Sequence, residues 1–279
     1  MGSAPIDLLR TSKETKRTEL MCLIIFAHQH SPDYPLVVAA NRDEFFPRPT
    51  QDADFWTADA GPQQILAGKD LQAGGTWLGI NREGRFAAVT NIRDPSQPEQ
   101  KPRSRGELPI SFLSGQETPE IFCEGLAQHF DEYAGFNLLI GDHESMYYVN
   151  NFEKLVQKLQ PGIYGLSNGM LNSAWPKVTR GREQLDKLLE SPATLATDAL
   201  IAMMGNREEA SHDELPDTGV PLEMEIKLSP AFIHNTDRNY GTRCSTAVIM
   251  EASGRVRFNE RNFDPQGNGT SNHFFEFVR

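Results

Sequence analysis

The 279-residue sequence is short of cysteine, of positive charge and of long apolar runs, and each shortage excludes something. Three cysteines, Cys22, Cys123 and Cys244, stand far apart with no CxxC or CxxCH spacing. Neither a disulfide framework, a zinc ribbon nor covalent c-type haem is indicated, and reduced thiols are expected. Lys and Arg number 27 against 38 Asp and Glu, a net charge of −11. Nucleic acid and anionic membrane surfaces, which demand clustered cations, are thereby disfavoured as partners. No apolar stretch approaches the ~20 residues that span a bilayer, so stable membrane insertion is not expected. Residues 1–20 lack the apolar core of a secretory signal, and the acids among their Arg and Lys argue against a transit peptide. A cytoplasmic protein acting on a small-molecule substrate or ligand is the expectation.

The chain is long enough, at 38% hydrophobic residues, to build a sizeable core. Residues 1–20 read as a disordered leader or a non-native start, and 21–279 as one domain. Short apolar runs rich in branched residues predict strands at Cys22–His28 and Pro35–Asn41. Turn-rich tetrads predict hairpins at Trp77–Ile80 with Arg85–Asn91, and at Phe136–Gly141 with Met146–Asn150. Ile163–Asn168, Arg243–Met250, Val256–Arg261 and His273–Val278 read as further strands. Thr118-Pro119 caps a helix, and helical spacing continues over Lys177–Glu190 and Ala193–Met204. Between Asn206 and Glu225 the sequence is acidic, with seven Asp or Glu, and reads as a loop or lid rather than core. Hairpins around a helical middle predict an α+β fold.

The chemistry centres on Met21-Cys22 at the head of the first strand. A cysteine exposed as residue one carries an α-amine of pKa ~7.7–8.0 beside a thiol of ~8.5, so one group takes the other's proton near neutrality. For an arbitrary cysteine at a strand start, packing is the commoner role. Polar residues bunched at other strand ends add weight to chemistry: Asn41-Arg42-Asp43-Glu44, Gly74-Gly75-Thr76-Trp77, Thr90-Asn91, Ser167-Asn168 and Thr242-Arg243. Amides at strand ends can hold an oxyanion, and Arg favours a thiolate; singly, each Asn is more often a turn former. Strand alternation puts Asn41 and Asp43 on one face and Arg42 and Glu44 on the other. The residues alone therefore predict Asp43 beside the Cys22 amine, and a structural pairing for Arg42 and Glu44. Weaker candidates are His28 and His30, two apart and sharing a strand face; Arg103 and Arg105, for an anion; Cys123, as helix packing; and Cys244, in a buried strand.

The ordered strings MCLIIFA, AANRDEF, FW, GGTWLGI, TN, RSRGEL, FNLLIGD, YGLSN and YGTR resemble the NRDE family, to which transport and Golgi organisation protein 2 belongs. The resemblance runs from Cys22 to the C-terminus. It implies an N-terminal-nucleophile hydrolase-like fold, an αββα sandwich of two antiparallel sheets between helical layers. A further likeness, to cysteine amidases of that fold, implies a hydrolase of amide or related acyl bonds that needs no cofactor. Cys22 would be the nucleophile, Asp43 and Arg42 its charge partners, Asn91 and Asn168 the oxyanion donors, and Arg243 a late arginine. In those amidases the Arg and Asp are separated by two residues, whereas Arg42 and Asp43 are adjacent. Eukaryotic relatives imply a second reading, a carrier of haem or another ligand linked to Golgi and secretory organisation. A third keeps the fold with a silent site and protein partners.

Overall fold

The computed structural model describes residues 21–58, 63–94, 101–191 and 194–279; the expected leader, 1–20, lies outside them. One sheet contains β1 (Met21–His28), β2 (Leu36–Phe45), β10 (Gly162–Leu166), β11 (His234–Asn235), β12 (Tyr240–Met250), β13 (Arg255–Phe263) and β14 (Gly269–Val278). Its order is β10-β1-β2-β12-β13-β14, with β11 on β12. The other is a seven-strand meander: β3 (Thr50–Thr57), β4 (Gln64–Asp70), β5 (Leu78–Asn81), β6 (Phe86–Asn91), β7 (Phe136–Gly141), β8 (Met146–Asn150) and β9 (Leu155–Lys158). All named pairings are antiparallel.

Alternating side chains sort into three apolar layers. Ile24, Phe26, Val38 and Phe258 meet Leu66, Ile80, Phe86 and Leu139 between the sheets. Leu23, Ile25, Val37 and Ala39 pack outward on helices α3 (Pro176–Glu190) and α4 (Thr197–Met203). Ala87, Leu138 and Val149 pack outward on α1 (Glu107–Ser114) and α2 (Pro119–Ala127). The result is the α+β sandwich of two antiparallel sheets between helical layers. Thr118 caps α2 by accepting from the Ile121 N–H.

Three expectations need correction. β2 does not stop at Asn41 but runs on through the polar tetrad, because β12 continues to pair with it as far as Phe45. The acidic stretch is not all surface loop: it contributes a short helix, α5 (Leu222–Lys227), and buries Ala210 and Glu225. His28 and His30 share no face, since β1 ends at His28 and Gln29 takes a positive φ of 47°.

A polar network crosses the sandwich beneath the site. The buried Asn137 donates to Thr90 Oγ1 and the Gly169 carbonyl and accepts from Tyr148 and Asn150. Truncating a hub of this kind strands several buried partners. Asn137→Ala is expected to cost about 2 kcal/mol, read by denaturant unfolding; an unchanged midpoint would show that these bonds are dispensable.

Candidate active site

Cys22 sits one residue into β1, directly opposite Arg42 of β2, and Cys244 of β12 flanks Arg42 on the other side. Directly paired residues share a face, so Cys22, Arg42 and Cys244 all point between the sheets. Alternation holds through the tetrad: Asn41 reaches the other way, donating to the carbonyls of Met204 and Ala231 in the helical layer. Asp43 shares that outer face and accepts from Thr242 Oγ1 at 2.6 Å. The partition of faces agrees with the sequence pattern, but its consequence is reversed. Arg42 is the residue on the Cys22 face, so its role is not confined to pairing with Glu44.

The half-buried Cys22 opens on a cleft of about 580 Å³, mouth included, walled by Arg42, Glu44, Arg48, Trp77, Asn91 and Arg105. Arg42 stacks on Trp77 at 4.3 Å and reaches Glu44 at 3.5 Å and Thr50 Oγ1 at 3.3 Å. Arg48 bridges Glu44 at 3.4 Å to Asp70 at 2.7 Å. Its hydrogen bonds hold the Asp70 carboxyl below the usual range despite burial, whereas burial pushes Glu44 up against the pull of Arg42. The wall is therefore a fixed lattice of alternating charges.

Of the two asparagines, Asn91 ends β6 on the cleft wall, and no hydrogen bond among the described residues uses its side-chain amide. Asn168 is placed behind it: its amide donates to the Asn91 carbonyl at 2.9 Å. Arg243 occupies the bulge in β12 and donates to the carbonyls of Phe45, Phe46 and Arg48. It fixes the loop that carries Arg48 and does not line the cleft.

Two further residues complete the surroundings. Ser167 donates to the Cys22 carbonyl at 2.8 Å, pinning the strand end. Lys177, at the start of α3, is 4% exposed and stands behind Asp43. Nothing in a helical run marks one lysine for burial, although a Ser-Asn-Gly loop does mark a tight turn.

With residues 1–21 attached, Cys22 is not activated. Burial, reinforced by the Asp43 carboxylate, pushes its thiol up to about 12; Arg42 and the Asp43 backbone N–H pull the other way and lose. Cys123 is raised to about 12 by burial in α2, and Cys244 is raised by burial in β12.

The two histidines expected as weaker candidates lie away from the Cys22 cleft. His28 is buried and held towards its neutral form by desolvation, while the exposed His30 reaches Asp186 at 3.5 Å. Among the described residues, no histidine borders the Cys22 cleft. Arg103 pairs with Glu107 and Glu132 at the surface, and Arg105, on the cleft rim, donates to the Gly135 carbonyl.

The family model described as Transport and Golgi organisation 2 matches residues 21–265. The chain belongs to that family. It is 36% identical to the Homo sapiens protein named Transport and Golgi organization protein 2 homolog, over 86% of this chain and 92% of that one. The Bos taurus homolog is 34% identical over 91% and 99%, and the Drosophila melanogaster Transport and Golgi organization protein 2 is 27% identical over 91% and 97%. Among solved structures, a variant of conjugated bile acid hydrolase from Clostridium perfringens is 9% identical, with a TM-score of 0.49 over 92% of this chain and 97% of that one. In this member of the Transport and Golgi organisation 2 family, the NRDE tetrad is thus a strand segment with two jobs. Arg42 and Glu44 build the cleft, Asn41 anchors the strand to the helical layer, and Asp43 ties it to Thr242 of β12.

Proposed function

We propose that this protein is a cysteine N-terminal-nucleophile hydrolase acting on an amide or related acyl bond, in a form whose chain begins at Cys22. The observation that carries the reading is the placement of Cys22. Its thiol stands at a strand head, opens on a cleft and shares a face with Arg42 directly across the ladder, and Asn91, whose side-chain amide makes no hydrogen bond among the described residues, borders the same cleft. In the reaction, the Cys22 amine accepts the thiol proton and the sulfur attacks the acyl carbon. Asn91 donates to the oxyanion, held in place by Asn168. Collapse breaks the C–N bond, the amine passes its proton to the leaving nitrogen, and a thioester remains. Water then attacks the thioester, gives its proton to the amine and releases the carboxylic acid, restoring the thiol.

Arg42 stabilises the attacking thiolate, its position held by Trp77 and Glu44. Asp43 supports the amine, because Met21 is its ladder partner and the amine emerges one bond from that position. The test is the N-terminus of protein isolated from its natural source, read by intact mass and terminal peptide sequencing. A chain starting at Cys22 is expected; residues 1–21 retained on most molecules would overturn the reading.

A further inference from the structure

The ladder between β1 and β10 begins at Ile24, opposite Leu166, so the Cys22 end of β1 runs past it. At that point the chain after β10 leaves the first sheet and fastens to the second. The Ser167 carbonyl accepts from Thr90 Oγ1 at 2.7 Å, and the Asn168 carbonyl from the Arg93 N–H at 2.8 Å. The Gly169 carbonyl accepts from Asn137 at 2.9 Å, and the Leu171 N–H donates to the Tyr148 hydroxyl at 3.2 Å. Thr90, Asn137 and Tyr148 belong to β6, β7 and β8, so the backbone of residues 167–171 moves with the second sheet. Two side chains of this stretch reach the reacting groups. Ser167 Oγ donates back to the Cys22 carbonyl at 2.8 Å, and Asn168 Nδ2 donates to the Asn91 carbonyl at 2.9 Å. Ser167, Asn168 and Thr90 are each 1% exposed, and a buried group that loses such a partner stays unpaired. Two covalently joined residues therefore hold the backbone of Cys22 in one sheet and that of Asn91 in the other.

We propose, on the reading above of Cys22 as nucleophile and Asn91 as oxyanion donor, that Ser167 is a positioning residue: with Asn168 it forms a strut that sets the Cys22 sulfur against the Asn91 amide at the spacing an oxyanion needs. A chain that begins at Cys22 has lost the pairing of Met21 with Asp43 and keeps that of Cys22 with Arg42 on the β2 side. The Ser167 bond is the hold on the opposite side. A chain terminus frays unless it is tied down, and misplacing a reacting group by about 1 Å costs about 10² in rate. Ser167 touches the backbone of Cys22 and not its sulfur, so it acts on the geometry of attack rather than on the ionisation of the thiol. Two reactions of the same sulfur separate these effects. Iodoacetamide is attacked at a saturated carbon: an S–C bond forms, iodide leaves and no oxyanion develops. p-Nitrophenyl acetate is attacked at its carbonyl: an oxyanion develops, the S–acyl bond is kept, and p-nitrophenolate leaves with its electron pair.

The experiment uses protein starting at Cys22 and measures two rates. One is the initial release of p-nitrophenolate from p-nitrophenyl acetate, less the release by Cys22→Ala. The other is alkylation of Cys22 by limiting iodoacetamide, and the readout is the ratio of acylation to alkylation. Asn91→Ala is expected to lower that ratio about a hundredfold, as loss of an oxyanion donor does. Ser167→Ala, which leaves the donor present but loosely placed, is expected to lower it about tenfold. Should Ser167→Ala not fold, Thr90→Val releases the strut from the second sheet and is expected to do the same. A loss of folding stability that left the site's geometry intact would not move the ratio. An unchanged ratio in the folded Ser167 or Thr90 variant, with the fall in Asn91→Ala intact, overturns the strut and leaves the hydrolase reading standing. An unchanged ratio in Asn91→Ala overturns the strut together with the donor assigned in that reading.

Discussion

At pH 7.5, protein that begins at Cys22 is expected to be alkylated there about a hundredfold faster than protein carrying residues 1–21. A thiol at about 12 is ionised to only about 3 parts in 10⁵ at that pH, against about one part in ten for an ordinary cysteine. The gain in thiolate is therefore about 10^3.5. A less basic thiolate is also a weaker nucleophile, and with a Brønsted slope of about 0.45 this takes back about 10^1.6. The net gain is about two orders of magnitude. Limiting iodoacetamide followed by peptide mass spectrometry measures it, with the buried Cys123 and Cys244 as internal references. Equal rates at Cys22 in the two forms would mean that the amine does nothing for the thiol.

The second large effect is structural and comes from Gly75. Its missing side chain lets the backbone of Gly106 approach, so that an added Cβ would lie 2.5 Å from the Gly106 carbonyl carbon. The Thr76 N–H donates to the Gly106 carbonyl across the same contact. Ser104, Arg105 and Gly106 form one wall of the cleft, and a backbone wall cannot rotate away as a side chain can. Gly75→Val is expected to cost about 3 kcal/mol, by overpacking against backbone. For a chain of this size that corresponds to a fall in Tm of about 6–10 °C. It should also remove Cys22 reactivity in whatever fraction stays folded, because the wall must move. A variant with an unchanged Tm would show that residues 104–106 are not held against this turn.

The strands at the two ends of the chain were legible because continuous apolar runs such as Leu-Ile-Ile-Phe and Ala-Val-Ile-Met sit between apolar layers on both faces. β3, β4 and α1 were not: β3 is a largely exposed edge strand whose TQDADFWT pattern buries only Ala53, and α1 has no side-chain cap. The site was half visible. Period-two alternation separates Arg42 from Asp43 correctly, yet it does not tell which face holds Cys22. That depends on the β1–β2 register, which pairs Cys22 with Arg42. Asn91 and Asn168 look equivalent as strand-end amides, and only tertiary packing turns one into a cleft donor and the other into its support. Arg243 lies inside β12, which starts three residues before it, and the bulge there turns it towards three loop carbonyls.

The central claim is that Cys22 becomes acylated. Protein beginning at Cys22, incubated with a panel of N-acyl amides of differing chain length and quenched in acid, is analysed for the N-terminal peptide. At least one amide is expected to leave its acyl mass on the Cys22 sulfur, hydroxylamine to remove it, and the adduct to be absent from Cys22→Ala. An unmodified Cys22 across the whole panel, in folded protein whose thiol reacts with iodoacetamide, would contradict it.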